Sequence, residues 1–370
     1  MRQIRIGVNA LYLIPGAVGG TEVYLRSLLD ALGEIDHVNE YVLFANRETG
    51  RELGPVQANF HVAEQAVRAT FRPGRIAWEQ TALPLAVAAQ HIDVLLNPGF
   101  TAPLVCGCPQ VTVFHDLQHK KHPEHFRWFD LPFWRFFLFW SAHLSRFVIA
   151  DSAATGSDLE TAYRLPARST RIVPLGVDAK FFAIANARRP EPMLLAVSTL
   201  HPHKNLERLL GAFAAFHKKR PEFRLVITGL RGFHSANLER AREDLGLLAS
   251  VQFTGWIPRE KLYGLYARAW AFLYPSTFEG FGLPVLEALA AGVPTACSHI
   301  EPLASIAANA AIQFDPDNQA AIFEAMDRLA SDGSLRDMLA AAGPGRAAQF
   351  SWRTTARLTL DVLREAVEGV

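Results

Sequence analysis

Glu279 and Glu287 lie within the string P-S-T-F-E-G-F-G-L-P-V-L-E-A-L-A-A-G at residues 275–292. Between them Gly280 and Gly282 allow backbone angles that other residues resist, and Pro284 has its angle preset for the first position of a helix. The amides of Phe281, Gly282 and Leu283 are then expected to point outward at an open helix start. Such an end carries about half a positive charge and several unpaired donors, so it suits an anion or a set of hydroxyl oxygens. Glu287 is expected in the first helical turn, where the helix dipole stabilises a carboxylate whatever its role. Two glycines, a proline and two acids in this order ask for more than a turn. A second set of groups lies in S-T-L-H-P-H-K-N, residues 198–205. There Lys204 stands beside a helix start that Asn205 is expected to cap, so a cation and a helix end converge where a diphosphate could lie; a solvated surface lysine is the alternative. His115, at the end of an apolar run, could donate to a sugar hydroxyl, assist proton traffic, or simply anchor the next loop.

Parallel strands place loops of this kind. Ile4–Leu11, Tyr41–Ala45, Asp93–Leu96, Val111–Phe114 and Phe147–Ala150 read as strands with helical or irregular segments between them. The pattern resumes at Met193–Val197, Leu225–Thr228, Val251–Phe253, Ala271–Tyr274 and Thr295–Cys297, which makes the chain α/β throughout. Leu206, Leu209, Leu210, Phe213 and Phe216 mark one helix face. Gly229 ends its strand without a side chain, which permits a nucleotide base to come close. After the first strand P-G-A-V-G-G, residues 15–20, makes a flexible loop, and Thr21 is expected to cap the helix that follows. Residues 183–191 show no apolar period and read as a linker.

The 275–292 string resembles the E-x7-E signature of glycosyltransferase family 4, retaining enzymes of GT-B fold that use nucleotide sugars. The resemblance covers nearly the full chain, is most specific from Met193 to Ser298, and implies two doubly wound Rossmann-like domains facing a cleft. It gives residues 1–182 to an acceptor-side domain and 192–349 to a nucleotide-sugar domain, and sends a terminal helix, residues 350–370, back to the first. It also implies roles. Glu279 and the amides of Phe281, Gly282 and Leu283 hold the donor sugar, Glu287 holds the ribose, and Lys204 holds the diphosphate with Ser198, Thr199 and Gly229 around it. Gly19 and Gly20 approach the donor phosphates, Glu22 matches the acid of the family's G-G-x-E string, and His115 sits at the mouth of the first domain. R-I-V-P-L-G-V-D, residues 171–178, resembles the string closing that domain. The family usually adds an arginine beside its diphosphate lysine, where this chain has Thr199 and His203. His203 or His201 is expected to supply the missing donor, with affinity weakening as pH rises through the histidine range. No cofactor or metal is implied, because the nucleotide sugar is a substrate. The T-L-H-P-H-K-N string looks most like members that transfer mannose, rhamnose or related sugars in surface polysaccharide assembly, which suggests a GDP-sugar donor and a glycan or lipid-linked acceptor.

Composition sets the outer limits. The chain has 370 residues, half of them apolar, and a formal charge of +1. That length fits two cores, and so balanced a charge gives no field that would recruit nucleic acid. Cys106, Cys108 and Cys297 make no even disulfide framework, and the N-terminus enters a strand directly, so the expected location is the cytoplasm. His115, His119, His122 and His125 recur at spacings that could bind zinc, but Pro123, Lys120 and Lys121 argue against it. Residues 126–144 form an aromatic stretch. Phe126, Phe129, Phe133, Phe136, Phe137 and Trp140 line up at helical spacing as a core-facing stripe. Trp128, Trp134 and Phe139 lie off it and Arg127, Arg135 and Arg146 border it, the mixture of a helix in a membrane interface, which leaves peripheral membrane contact open. Two rival functions share the fold: a protein that binds a nucleotide sugar without turning it over, and a phosphorylase or sugar 2-epimerase. A pyridoxal-dependent phosphorylase would need a cofactor lysine site, and none is recognisable.

Overall fold

The computed structural model describes residues 2–50, 53–126, 128 and 130–369, without the side chain of His125. The chain forms two compact units, Met1–Gly176 with Trp352–Val370, and Val177–Ser351. The first carries strands β1 (Arg5–Ala10), β2 (Glu40–Ala45), β3 (Phe60–Glu64), β4 (Val94–Asn97), β5 (Gln110–Phe114), β6 (Phe147–Ala150) and β7 (Thr170–Ile172). They pair in the order β3-β2-β1-β4-β5-β6-β7, with Ile6 of β1 opposite Tyr41 on one side and Val94 on the other. Every pair is parallel. Helices cover both faces of such a sheet, which is why Y-V-L-F-A and F-V-I-A are continuous apolar runs rather than alternating ones.

The second unit repeats the plan with β8 (Met193–Val197), β9 (Arg224–Thr228), β10 (Val251–Gly255), β11 (Ala271–Tyr274), β12 (Thr295–Ser298) and β13 (Ile312–Phe314). Their order is β10-β9-β8-β11-β12-β13, again parallel. In each sheet the winding reverses at one place, between β1 and β4 and between β8 and β11. Ligands of open parallel sheets bind outside the carboxyl ends of the strands at such a reversal. The Gly19–Gly20 loop follows β1, residues 198–205 follow β8, and the glutamate string follows β11. The core of the second unit includes Leu206, Leu209, Leu210, Phe213 and Phe216 from one helix face, at about 2 kcal/mol or more for each side chain removed from water.

Several expectations change. Thr21 does not cap the helix Gly20–Ile35: Gly19 is the cap residue, and the Thr21 hydroxyl donates to the Val18 carbonyl at 3.0 Å. Asn205 does not cap Leu206–Lys219 either. Its backbone is left-handed, φ 56°, and its amide donates to the carbonyls of Pro275 and Pro316, tying three loops together. The change of unit falls at Gly176–Val177, and residues 183–191 are packed into the second unit. Arg188 there donates to the carbonyls of Gly292 and Ala269, both at 2.6 Å, so a segment with no apolar period is held by hydrogen bonds instead. The helix Trp352–Glu368 packs in the first unit, where the Thr355 hydroxyl donates to the Pro174 carbonyl at 2.7 Å.

The aromatic stretch turns the other way from the expected stripe. The helix Leu131–Leu144 buries Leu138, Ser141 and Ala142, with Trp134 and Phe139 against the same core, while Phe133, Phe136 and Trp140 are 40–49% exposed. Ser141 and Ala142 let the helix approach its neighbours closely beside Leu138, and Phe133, Phe136 and Trp140 are left on the opposite side. Arg127 and Phe129 lie outside the described residues. Among the described residues no helix is long and apolar enough to cross a membrane.

Candidate functional site

The second unit gathers most of the expected groups at the reversal between β8 and β11. The turn Pro202–Lys204 brings Lys204 Nζ to 2.6 Å from Glu279 Oε1 and 3.2 Å from the Tyr274 hydroxyl. The turn is fixed from below, since the His203 carbonyl accepts from the Thr277 amide and from the hydroxyls of Ser276 and Thr277. The His201 and His203 rings lie 5.8 Å apart at the rim, next to Phe233 and Phe278. Thr199 shapes this loop through its carbonyl, which accepts from the His201 amide. Beside it, buried Ser198 points a hydroxyl that has no hydrogen-bond partner among the described residues. Gly229 closes against Ser198: a Cβ there would lie 2.0 Å from the Ser198 carbonyl oxygen, so no other residue fits.

Glu279 and Glu287 do share one region. Burial raises the Tyr274 phenol well above its ordinary range, and both carboxylates add to the shift, which places the ring near each of them. The helix within the string is Leu283–Ala290, so Pro284 is its second residue and Glu287 its fifth. Glu287 is therefore beyond the first turn, and the helix dipole does not account for it. It is 6% exposed. Burial pushes its carboxyl up to about 7, against the pull of Arg259 at 3.5 Å and of a hydrogen bond from the Tyr266 hydroxyl at 3.2 Å. The amides of Phe281, Gly282 and Leu283 stand at the open start of the helix, where the first turn has no intrahelical acceptor to offer. Gly282 has φ 116°, and a Cβ on it would meet Leu303 Cδ2 at 2.3 Å. Gly282→Ala combines backbone strain with a clash, so we expect a loss of about 2 kcal/mol or more, read as a lower urea midpoint at unchanged slope.

In the first unit the glycine loop is held by Glu22, which accepts from the Gly16 amide at 2.7 Å and from Arg26 Nε at 2.9 Å. Gly19 has a positive φ, and a Cβ on Gly20 would meet nothing within 4 Å, so the helix start at Gly20 is open. His115 uses both ring nitrogens: Nδ1 lies 2.7 Å from Asp151 Oδ2 and Nε2 3.0 Å from the Pro98 carbonyl. Burial opposes a charge on this ring, but Asp151 outweighs it and raises the pKa. His119 bonds Tyr163 and His122 bonds Glu124, so His115, His119 and His122 each face a different partner.

Comparison with known proteins decides the class. The description "Glycosyltransferase Family 4" fits residues 18–181, and "Glycosyl transferases group 1" fits residues 177–346. The chain belongs to the glycosyltransferases of GT-B fold. It is 28% identical to the O-antigen chain mannosyltransferase B of Escherichia coli over 69% of this chain and 70% of the relative. It is also 28% identical to the MMP alpha-(1->4)-mannosyltransferase of Mycolicibacterium hassiacum, over 76% of this chain and 71% of that one. In fold it matches the sucrose-phosphate synthase of Thermosynechococcus elongatus across the whole of both chains, at a TM-score of 0.82 and 19% identity.

As a nucleotide-sugar-dependent glycosyltransferase, the enzyme has supports around its glutamates that its sequence did not reveal. Asp178, read in the closing string of the first domain, belongs to the second unit. It accepts from the Lys180 amide, from the Tyr263 hydroxyl and from Arg259, which is the ion partner of Glu287. The only sequence signal for this group is a helix, Arg259–Arg268, with tyrosines three residues apart on one face.

Proposed function

We propose that this glycosyltransferase transfers a hexose, mannose first among the candidates, from a GDP-sugar to a sugar hydroxyl with retention of anomeric configuration. The observation that carries the reading is the contact between Lys204 and Glu279 at the open start of the Leu283–Ala290 helix. Cleavage of a nucleotide sugar leaves a diphosphate and an oxocarbenium-like sugar, so it needs a fixed cation and donors beside a fixed carboxylate. Lys204 exchanges Glu279 for a diphosphate oxygen, the Phe281 to Leu283 amides and the Ser198 hydroxyl supply neutral donors, and Glu279 accepts from the sugar hydroxyls. His203 or His201 adds a donor in place of the usual arginine. A phosphate oxygen on the same face takes the acceptor proton, and no metal or cofactor takes part. His115 must release the Pro98 carbonyl before it can donate to a substrate. Two mannosyltransferase relatives support the choice of sugar.

The test is turnover of GDP-mannose, UDP-glucose, ADP-glucose and dTDP-rhamnose with a mannosylated acceptor, the product's anomeric configuration being read by NMR. Preference for a UDP-sugar would sink the GDP assignment, and an inverted product would sink retention. Unchanged donor affinity in His201→Ala and His203→Ala would remove the histidine role.

The acceptor in this proposal is a lipid-linked glycan met at a membrane surface. Phe133, Phe136 and Trp140 are exposed on the Leu131–Leu144 helix, with Arg135 and Arg146 exposed on and beside it, the composition of a helix that lies in an anionic interface. Changing Phe136 and Trp140 together to serine removes about 2–3 kcal/mol of interfacial burial. Sedimentation with phosphatidylglycerol vesicles should fall at least tenfold while circular dichroism is unchanged; equal sedimentation would rule the surface out.

A further inference from the structure

The first unit holds a second reactive cluster that the transfer reaction does not use. Cys106 and Cys108 sit in the connection from β4 to β5, with their Sγ atoms 3.7 Å apart and both side chains half-buried. They border a cavity of about 440 Å³ whose wall also carries Leu104, Val105, Leu144 and Arg146. His115 follows the other end of β5, so the pair lies at the opposite end of that strand from His115. The two sulfurs are unlike. A hydrogen bond from the Cys108 thiol lowers the Cys106 pKa to about 7, burial opposing it and the amides of Cys108 and Gly107 assisting, while the same bond and burial raise Cys108. A thiolate with an adjacent thiol at an open cavity is the arrangement that exchanges disulfides. Cys297 provides the contrast within the same chain: it is fully buried, and burial pushes its thiol up to about 12.

We infer that Cys106 and Cys108 form a thiol–disulfide exchange site for a low-molecular-weight disulfide bearing carboxylates. The Cys106 thiolate attacks one sulfur of that disulfide, forming a mixed disulfide and expelling one small thiolate, which takes the proton released by Cys108. Cys108 Sγ then attacks Cys106 Sγ, closes the Cys106–Cys108 bond and expels the second thiolate, which is protonated by water. Two cysteines lose two electrons, and one small disulfide gains them as two thiols. The sulfurs have only to close from 3.7 Å to a bond length of about 2.05 Å. Arg146 provides the cavity wall with a cation for the carboxylates.

The experiment exposes the reduced full-length protein to glutathione disulfide and follows intact mass and peptide maps. The expected product is lighter by two hydrogens, with the bond in the peptide holding Cys106 and Cys108 and with Cys297 unmodified. Cys108→Ser should stop at a single mixed disulfide on Cys106, and Cys106→Ser should react at least tenfold more slowly at neutral pH. Arg146→Ala should slow the reaction with glutathione disulfide but not with uncharged hydroxyethyl disulfide. If Cys106→Ser reacts as fast as the parent, or if the thiols react only in denaturant, the assignment is wrong. Equal slowing with both disulfides would overturn the role of Arg146.

Discussion

Lys204→Met lowers turnover by about 10² to 10³-fold, the scale for removing one preorganised charge-stabilising donor from a transition state. Its Nζ is 2.6 Å from Glu279, with the two side chains 13% and 10% exposed, so a ligand-free protein loses a nearly buried ion pair as well. Breaking such a pair from one side leaves the other charge uncompensated and costs about 3 kcal/mol. The structural loss must therefore be separated from the chemical one. Exchanging the two residues, Lys204→Glu with Glu279→Lys, keeps opposite charges in contact and should recover much of the melting temperature. Turnover should stay down, because the diphosphate now meets a carboxylate. Restored activity in the exchanged protein, or a single variant within threefold of the parent, would mean that Lys204 serves the fold alone.

Glu287→Gln should weaken nucleotide affinity and strengthen the fold at alkaline pH. In the proposed donor complex the Glu287 carboxylate accepts from both ribose hydroxyls, whereas an amide can offer only one oxygen and must find partners for its own hydrogens. Charge-assisted bonds of this kind contribute about 1.5–3 kcal/mol, so a loss of roughly 10 to 100-fold in calorimetric affinity is expected. The stability change has the opposite sign. The Glu287 pKa is raised from 4.5 to about 7 in the fold, so its contribution to stability is fully present below pH 4.5 and is lost as pH rises through 7. At pH 8 the buried charge costs about 3 kcal/mol by that shift, and glutamine removes it, less whatever Arg259 loses with its partner. Nucleotide binding by a protein carrying His201→Ala and His203→Ala, in which the opposing histidine titration is gone, should strengthen from pH 6 to pH 8 as the Glu287 carboxylate forms. A pH-independent affinity, or a variant that melts lower at pH 8, would contradict this account.

Much of the site was legible because it rests on local rules. The glycines, the proline and the first glutamate of the 275–292 string lie where β11 ends and a helix begins, and a strand of four apolar residues followed by a helix signal needs no tertiary information. Lys204 was legible for the same reason. Its bond to Glu279 was not, because 75 residues of sequence separate the two and only the order of β8 and β11 brings them together. Arg259, Asp178 and Tyr266 were hidden for the same cause: Arg259 and Tyr266 come from one helix and Asp178 from the start of another, far in sequence from the glutamate string, and none belongs to a glycine loop. The aromatic helix shows a different failure. Its period was read correctly, but the phenylalanine stripe at that period was taken as the core face, whereas the buried face carries Leu138, Ser141 and Ala142. The Asn205 cap failed because its backbone is left-handed and its side-chain oxygen accepts from Arg208 instead of the first helical amides, while its amide donates to two neighbouring loops.

The helix Trp352–Glu368 has a consequence for how the protein is made. It packs beside the Gly20–Ile35 helix, with Trp352 edge-on to Tyr24 at 6.1 Å, and it covers buried residues of the first unit with Ala356, Leu360 and Leu363. A ribosome therefore delivers the whole of the second unit before it delivers the piece that finishes the first. For the time needed to synthesise residues 177–351, about 10 to 30 seconds at ordinary rates, the nascent first unit shows an apolar seam to the cell. A pause or a truncation in that interval leaves a chain whose second unit is whole and whose first is a client for chaperones.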